Sequence, residues 1–450
     1  MRHQLASSVG LSYAQGEPVA CYRQWRDSLA AGVDGLLVVD FELEQYWLPA
    51  AEALQLAALY CVLAGELQVA VTDHQLTSPG SAAPGDQFAR WVDQFELSSV
   101  RPGEALELLP ESTPKPWGRE VWYSAVEERG VCQVASGSQC RAAAGNPKAA
   151  ASTGRSPLPW LQAVLPGAAA GEPGQPLVLL KILDPLPEPV SGDLYFELHE
   201  EKREVYVVIG VDERAWPDGV GYIRYGFNPE KIAASADEQG FRAEYLATVQ
   251  AYERVRRQLD ALPEGLEPPA SQQALEQRLR DDMDAYTCMQ PLRVGDVVVV
   301  PSLLPHSLQH GVRTVEFQTP VYERKILSFA QQVMTQDHWD TSTAVDQMLL
   351  VPPVTAAFDC LLRERGILVE RIVDFPDFEV RRIRVEPNAC LAQGPLQDYG
   401  LVIVVGGELA LDGRSYGAEQ ALLLPRAWRG RLTPANTAQP LVLLLALPRA

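Results

Sequence analysis

Leu194-Tyr-Phe-Glu-Leu-His-Glu-Glu-Lys-Arg-Glu-Val-Tyr-Val-Val208 has the pattern of two β-strands around a tight, charged turn. Glu197 and His199 are two residues apart, so on a strand their side chains point to the same face. Glu204 follows the turn and can fold back beside them. Two carboxylates and an imidazole directed inward between apolar positions are costly to bury without a partner. A divalent metal is such a partner, and this mixed nitrogen and oxygen set suits zinc, iron or manganese.

A fourth candidate ligand, His306, ends the later segment Val294-Gly-Asp-Val-Val-Val-Val-Pro-Ser-Leu-Leu-Pro-His306. This segment contains a Gly-Asp turn, a buried strand and a proline break before the histidine. Together the two segments resemble the metal motifs of the cupin superfamily, in which a hairpin supplies an x-His pair and a Glu, and a later strand supplies the last His. Gly295, Pro301 and His306 keep the spacing of that second motif, whereas Glu197 stands where many cupins have His.

Each segment taken alone has a simpler interpretation. The charged residues 200–203 have the composition of a solvated hairpin tip. A single histidine in a strand is more often an ordinary core or surface residue than a metal ligand. Because both motifs occur in the cupin order with the expected residue types, the metal site is the favoured interpretation.

The composition is that of a globular protein rather than a nucleic-acid or membrane protein. The chain has 450 residues, enough for two to four domains, and a net charge of −20. This charge argues against a nucleic-acid partner and against an anionic membrane surface, but a local basic pocket still allows an anionic small substrate. The seven cysteines include no Cys-x-x-Cys pair, which indicates reduced thiols. With no secretory leader pattern and no apolar run that spans a bilayer, we expect a cytoplasmic protein.

The patterns predict a mainly β double cupin of two jelly-roll barrels with additions. Residues 1–105 suggest a small α/β extension of unknown role, with a strand near Gly35 and a helix over residues 47–63. Residues 106–345 would form the metal-binding cupin domain, with a helical insert at about 230–288 and an Ala/Gly/Ser-rich loop at 133–156. Residues 346–450 would form a second barrel without metal ligands, since the last histidine is His338.

With these segments in place, residues 114–450 resemble class I mannose-6-phosphate isomerases. The stretches that carry the resemblance are Lys115-Pro-Trp-Gly118, Pro157-Leu-Pro-Trp-Leu-Gln162, Pro176-Leu-Val-Leu-Leu-Lys-Ile-Leu-Asp184, Tyr225-Gly-Phe-Asn228, Leu292 to His306 and Val315-Glu-Phe-Gln318. Lys181 interrupts a buried strand within the third stretch. Such a lysine either extends its ammonium group to solvent or faces a polar cavity, and it is our candidate for substrate binding.

The resemblance implies roles for particular residues. The family's zinc ligands fall on Glu197, His199, Glu204 and His306. Its Lys-x-Glu motif includes Lys202, and the active-site Glu and Arg of its Glu-x-Gln…Arg stretch fall on Glu316 and Arg324, so these three residues are the catalytic candidates. Arg324 is also a candidate for substrate binding.

Three departures from the family pattern affect these expectations. Glu197 replaces a glutamine and adds a negatively charged, hard oxygen ligand to the set, so iron and manganese become alternatives to zinc as the bound metal. Only residues 200–203 separate His199 from Glu204, where the family has a longer excursion beside the substrate. The interval from Glu316 to Arg324 is also shorter than in the family.

The implied reaction is aldose–ketose isomerisation of a sugar phosphate, mannose 6-phosphate to fructose 6-phosphate, through a cis-enediol. Two other functions remain open from the sequence. The shortened loop and the extra N-terminal region are compatible with a sugar-phosphate-binding cupin without catalysis. The ligand set is compatible with another cupin enzyme, such as a metal-dependent oxygenase, which would require iron and an apolar pocket.

Overall fold

A computed structural model describes residues 6–8, 10–76, 82–136, 154–263, 266–333, 336, 338–353 and 357–449. Most of the predicted loop at 133–156 lies outside these residues. The first elements are β1 (Ala6–Ser8), β2 (Leu11–Gln15), α1 (Pro18–Ser28), β3 (Gly35–Leu43), β4 (Leu54–Leu63), β5 (Glu66–Thr72), α2 (Pro84–Gln94), β6 (Leu106–Leu109), β7 (Glu111–Lys115), β8 (Gly118–Trp122), β9 (Val126–Glu127), β10 (Gly130–Val131), β11 (Gln133–Ser136), β12 (Arg155–Pro157) and α3 (Leu158–Val164).

The middle elements are β13 (Leu179–Pro185), β14 (Phe196–Leu198), β15 (Glu204–Val211), β16 (Gly221–Phe227), α4 (Pro229–Ala234), α5 (Glu238–Asp260), α6 (Ala270–Asp284), β17 (Thr287–Leu292), β18 (Val297–Val300), β19 (His306–Leu308), β20 (Val312–Gln318), β21 (Lys325–Ser328) and α7 (Thr341–Ala344). The last are β22 (Asp359–Glu364), β23 (Ile367–Asp374), β24 (Phe378–Val385), β25 (Leu391–Gln393), β26 (Gly400–Gly406), β27 (Leu409–Leu411), β28 (Arg414–Tyr416), β29 (Ala421–Leu424), β30 (Gly430–Pro434) and β31 (Leu441–Pro448). Among the helices of the described residues, none is both long and apolar enough to cross a membrane.

The chain forms two compact units, each built from separated segments. Unit 1 contains residues 1–111, 123–178 and 358–450, and unit 2 contains residues 112–122 and 179–357. These boundaries differ from the three consecutive domains predicted at 1–105, 106–345 and 346–450. The reason is that β6, β11 and β12 pair within the same sheet as the C-terminal strands of unit 1, with Ala421 opposite Leu108 in the register.

The N-terminal part of unit 1 is the predicted α/β extension. Its five strands lie in sequence order, and β2 is parallel to β3 because α1 connects them. The helix predicted over residues 47–63 is wrong, since β4 occupies Leu54–Leu63. This strand is buried along nearly its whole length, so its residues form a continuous apolar run, and such a run does not distinguish a buried strand from a buried helix.

The rest of unit 1 is a second β structure. A nine-stranded sheet runs β12-β11-β6-β29-β26-β31-β24-β23-β22, and a four-stranded sheet runs β25-β30-β27-β28. Apolar side chains from both sheets form one core, which includes Val402, Leu424, Trp428 and Leu443. No histidine follows His338, so this part of the chain lacks the residue type that the metal motif requires.

Unit 2 has the predicted cupin-like arrangement of two antiparallel sheets. One sheet runs β18-β15-β20-β13-β8-β7 and the other runs β17-β16-β19-β14-β21. The helices α4, α5 and α6 lie between β16 and β17 in the chain, within the insert predicted at about 230–288. The apolar stripe of α5, formed by Phe241, Tyr245, Val249 and Tyr252, is buried in a core shared with both sheets. The mainly β fold class is therefore confirmed.

Gly118, within the Lys-Pro-Trp-Gly stretch, has a φ of 146°, and a Cβ atom there would lie 2.4 Å from the Asp184 carbonyl oxygen. We expect Gly118→Ala to lower the free energy of unfolding by about 1–3 kcal/mol, because it adds a clash with backbone to an unfavourable φ. Denaturant titration would measure the change. Gly295→Ala is the matched control: φ is 93°, and apart from Gly295 and its chain neighbours no atom of the described residues lies within 4 Å of the added Cβ. A loss equal to that of the control would contradict the steric argument.

Candidate metal centre

The two predicted metal motifs meet in unit 2. In the five-stranded sheet, β14 pairs with β19, and Glu197 lies directly opposite His306 in the register. His199 follows immediately after β14, and Glu204 is the first residue of β15 in the six-stranded sheet. The turn between His199 and Glu204 is short, so β15 begins close to His199 and Glu204 lies beside it. The structure therefore brings all four predicted ligands together from two sheets.

Three of these side chains, Glu197, His199 and His306, have the spacing of ligands around one cation, and Glu204 lies beside both imidazoles. The Nε2 atom of His199 lies 3.8 Å from Glu197 Oε1 and 3.4 Å from Glu204 Oε1, and His306 Nε2 lies 3.1 Å from Glu204 Oε2. Ligand atoms of Glu197, His199 and His306 all lie within 4.8 Å of one another. Zinc binds nitrogen and oxygen at about 2.0–2.2 Å in tetrahedral geometry. Two ligand atoms of one zinc ion are therefore separated by distances similar to those between the side-chain atoms measured here.

Both imidazole rings contact a backbone carbonyl oxygen through Nδ1, which leaves Nε2 on the side of the other candidate ligands. His199 Nδ1 lies 3.0 Å from the Glu323 carbonyl oxygen, and His306 Nδ1 lies 3.0 Å from the Leu304 carbonyl oxygen. A ring nitrogen beside a carbonyl oxygen carries the proton, so both Nε2 atoms present lone pairs to the centre.

Two buried atoms of the centre also lack a hydrogen-bond partner among the described residues, namely His199 Nε2 and Glu197 Oε2. A buried nitrogen lone pair and a buried carboxylate oxygen are each costly unless a cation or a proton satisfies them. A divalent metal would satisfy both atoms, so the residues present fit the group that the cupin-like fold implies.

The electrostatics favour the ionisation states that metal binding needs. Burial, assisted by the positive charge of Lys202, lowers the pKa of His199 well below its usual value. Burial opposes ionisation of Glu204, but the positive charge of Lys202 is the largest of the interactions that outweigh it and hold the pKa of Glu204 well below its usual range. Neutral imidazole and ionised carboxylate are the forms that bind a cation.

Lys202 and Glu323 organise the hairpin beside these ligands. The buried ammonium group of Lys202 lies 2.7 Å from Glu204 Oε1. Glu323 Oε1 accepts hydrogen bonds from the backbone N–H groups of Glu201 (3.1 Å) and Lys202 (3.2 Å). Since the carbonyl oxygen of Glu323 also contacts the His199 ring, this one residue holds both the turn and a candidate ligand.

A row of side chains crosses four strands of the six-stranded sheet next to the ligands. In the register, Tyr206 lies opposite Glu316, Glu316 opposite Lys181, and Lys181 opposite Trp122. Lys181 Nζ lies 3.3 Å from Glu316 Oε1 and 3.7 Å from an oxygen of Glu120. Burial and the negative charge of Glu204 raise the pKa of Glu316 well above its usual value, and Lys181 opposes this only in part.

Glu120 forms the outer end of this charged row. It lies 3.0 Å from Lys115 Nζ and accepts a 2.8 Å hydrogen bond from the Trp122 indole. Burial works against its ionisation, but Lys181 and Lys115 lower the pKa of Glu120 to about 2. Glu120 is therefore an anion held between two ammonium groups.

The side chains of the centre differ in exposure. The side chains of Glu197, Lys181 and Glu120 are 18%, 16% and 12% exposed. Those of His199, Glu204, His306 and Glu316 are only 1–2% exposed. Glu197, Lys181 and Glu120 are therefore the side chains of the centre that a small polar molecule from solvent could contact first.

Arg324 occupies a different position from the other predicted residues. Its guanidinium group lies over the Tyr195 ring, 4.6 Å from the ring centre. Burial and the negative charges of Glu197 and Glu120 raise the pKa of Tyr195, and the positive charge of Arg324 lowers it in part. Arg324 also directly precedes Lys325, which lies opposite Leu198, the residue after Glu197, in the register. Its predicted role and those of Lys181, Lys202 and Glu316 remain predictions.

Sequence reasoning missed several residues of the centre. Tyr206 is two residues from Glu204 and therefore shares its face of the strand, a signal that was available. Glu120 and Trp122 alternate in the same way on β8. Glu323 gave no signal, because its contact with the 200–202 turn depends on how two distant segments pair.

The architecture and the centre together define a cupin-like protein of mainly β structure with a candidate metal site. Its fold is similar to that of mannose 6-phosphate isomerase from Bacillus subtilis, with a TM-score of 0.51, 15% sequence identity, and coverage of 76% of this chain and 99% of that chain. A mutant phosphomannose isomerase from Salmonella typhimurium gives a TM-score of 0.52 and 10% identity, over 77% of this chain and 100% of that chain. At these identities the similarity establishes the fold. No protein-family model and no curated protein matches the sequence.

Proposed function

We propose that this protein is a metal-dependent aldose–ketose isomerase that interconverts mannose 6-phosphate and fructose 6-phosphate, or a closely related pair of sugar phosphates. The observation that carries the proposal is the position of the Glu316–Lys181 pair beside the four candidate ligands. A buried carboxylate and ammonium next to a cation site suit a reaction that moves a proton and develops negative charge on oxygen.

Glu197, His199, Glu204 and His306 would hold one divalent metal. Zinc is our first choice, with iron and manganese as alternatives because two carboxylates make the set harder. When bound, the metal would supply a positive centre that orients the sugar oxygens and stabilises the charge that develops on them.

The remaining residues take distinct roles in this proposal. Glu316 is the base that takes a proton from one of the two reacting carbons, C2 or C1, and returns it to the other through a cis-enediol, while the hydroxyl proton moves between the oxygens on C2 and C1. Lys181, 3.3 Å from Glu316, orients that carboxylate and contacts the sugar. Lys202 stabilises the enediolate oxygen, and Arg324 binds the phosphate.

A divalent metal at this centre would favour an anionic substrate despite the net charge of −20. Lys115, Lys181 and Lys202 each have an ammonium group in or beside the centre. Each of them is paired with a carboxylate, that of Glu120, Glu316 or Glu204, so the excess positive charge would come from the divalent metal. The local field would then favour a phosphorylated sugar over a neutral one.

One observation favours an oxygenase as a second candidate. Glu197, His199 and His306 alone form a set of two histidines and one carboxylate, and Glu204 is already paired with Lys202. Such a set is typical of non-haem iron oxygenases. The charged row from Glu316 to Glu120 argues against this function, because a charged wall does not suit an apolar substrate.

The test is a coupled assay with mannose 6-phosphate on protein of measured metal content. We expect turnover that disappears after treatment with a chelator and returns when zinc, manganese or anaerobic iron(II) is added, because the proposed chemistry needs the cation. The same chelation series should be followed by metal analysis, so that activity and occupancy are compared in one sample.

Other outcomes distinguish the alternatives. A stoichiometric metal without turnover of mannose 6-phosphate or of a panel of sugar phosphates would contradict the isomerase. Oxygen consumption that depends on iron would favour the oxygenase. Saturable binding of a sugar phosphate by the metal-loaded protein, without any turnover, would favour a binding protein.

A further inference from the structure

Glu204 is held at both of its oxygen atoms. Lys202 Nζ lies 2.7 Å from Oε1, and the Tyr206 hydroxyl donates a 2.6 Å hydrogen bond to Oε2. Each oxygen also faces one imidazole, because His199 Nε2 lies 3.4 Å from Oε1 and His306 Nε2 lies 3.1 Å from Oε2. The carboxylate plane is therefore defined by two donors, and its two oxygens lie toward different candidate ligands.

Tyr206 is built rigidly into this position. It is two residues after Glu204 on β15, so both side chains project from the same face of the strand. Its ring belongs to the apolar core of unit 2, and the ring centre lies 6.0 Å from that of His306. At 2.6 Å the bond to Glu204 Oε2 is in the range of a strong hydrogen bond from a hydroxyl group to a carboxylate.

The two donors on Glu204 are not equivalent. A lysine has a flexible stem and three donors around a point charge, so Lys202 attracts the carboxylate without defining its rotation. A tyrosine ring packed in a core has few accessible rotamers, and its single hydroxyl points in one direction. The rotation of the Glu204 carboxylate about its Cγ–Cδ bond therefore depends mainly on Tyr206.

We propose that Tyr206 is a positioning residue of the metal centre: its hydroxyl fixes the Glu204 carboxylate in the orientation that lets it bind a cation together with His199 and His306. The inference rests on the proposed metal site and concerns its affinity rather than the reaction. Removal of a group that orients a metal ligand through a hydrogen bond commonly lowers metal affinity by about 10–100-fold.

The decisive variant is Tyr206→Phe, which keeps the ring in the core and removes only the hydroxyl. We expect the full-length protein to bind Zn²⁺ about 10-fold or more weakly in competition with a chromophoric chelator, because Glu204 loses the donor that fixes its orientation. Turnover should be recovered in large part at saturating Zn²⁺, with little change in the KM for the sugar phosphate.

Tyr252→Phe is the matched control. Tyr252 is also fully buried in unit 2 and donates a 2.8 Å hydrogen bond to a carboxylate, that of Glu276, but it lies in the helical insert. This variant should keep the wild-type affinity for Zn²⁺. An equal loss of affinity in both variants would attribute the effect to general destabilisation and overturn the inference.

A double-mutant cycle tests whether Tyr206 acts through Glu204. In the Glu204→Gln background, Tyr206→Phe should cause little additional loss of Zn²⁺ affinity, because the group that it orients is altered. Additive losses, or wild-type affinity in Tyr206→Phe, would overturn the inference. Failure of the wild-type protein itself to bind Zn²⁺, Mn²⁺ or Fe²⁺ would instead refute the proposed metal site, and with it any role for Tyr206 there.

Discussion

His306→Ala is expected to abolish both metal binding and turnover. The imidazole Nε2 lies 3.1 Å from Glu204 Oε2, and the Leu304 carbonyl oxygen holds the ring in this orientation, so alanine would remove a direct ligand. Loss of a direct ligand should cost more than the roughly 10–100-fold that removal of an orienting group costs. Isothermal titration with Zn²⁺ and the coupled sugar-phosphate assay would measure the two effects on the same preparation.

His338→Ala provides the comparison for this variant. His338 is also in unit 2, but its side chain is two-thirds exposed (66%) and lies next to Asp340 rather than the candidate ligands. It should keep metal content and activity. If His306→Ala retained stoichiometric metal and wild-type turnover while folding normally, the centre described here would not be the active site.

Glu316→Gln is expected to reduce kcat by about 10²–10⁴-fold, the typical contribution of a general base, while metal content stays unchanged. Glu316 is buried, contacts Lys181 at 3.3 Å, and is separate from the group of candidate ligands. Glutamine keeps the size of the side chain but cannot take a proton from carbon. Steady-state kinetics on metal-saturated protein would separate the loss of kcat from any change in KM.

Glu276→Gln is a suitable control for Glu316→Gln, because it neutralises another carboxylate of unit 2 whose hydrogen bond is to Tyr252 in the helical insert. It should leave kcat unchanged. A Glu316→Gln variant that kept most of its kcat would remove Glu316 from the role of base. Solvent deuterium incorporation into the product would then help to identify the group that does move the proton.

The comparison of sequence and structure is clearest at the metal centre. Side chains alternate between the two faces of a strand, so Glu197 and His199, two residues apart, could be assigned to one face. The short turn after them indicated that the chain folds back and places Glu204 beside them. The Gly-Asp turn and the proline break likewise made His306 recognisable. These features depend on neighbours within a few residues, and the structure brings all four side chains together.

The surroundings of the centre depended on pairing that no local pattern encodes. The row from Tyr206 through Glu316 and Lys181 to Trp122 exists because four strands from separate parts of the chain align in one register. Glu323 reaches the turn at Lys202 for the same reason. Before the register is known, the partner of a charged strand residue cannot be identified.

The sequence by itself determined the mainly β class, the helical insert, the candidate ligands and the direction in which each points from its strand. Only the tertiary structure decided which sheet each strand joins, and it assigned β6, β11 and β12 to the unit that contains the C-terminal strands. It also revealed that Tyr206 and Lys202 each hold one oxygen of Glu204. The physical reason is that periodicity and turns arise from adjacent residues, whereas strand partners and buried charge contacts are set by packing between segments far apart in the chain.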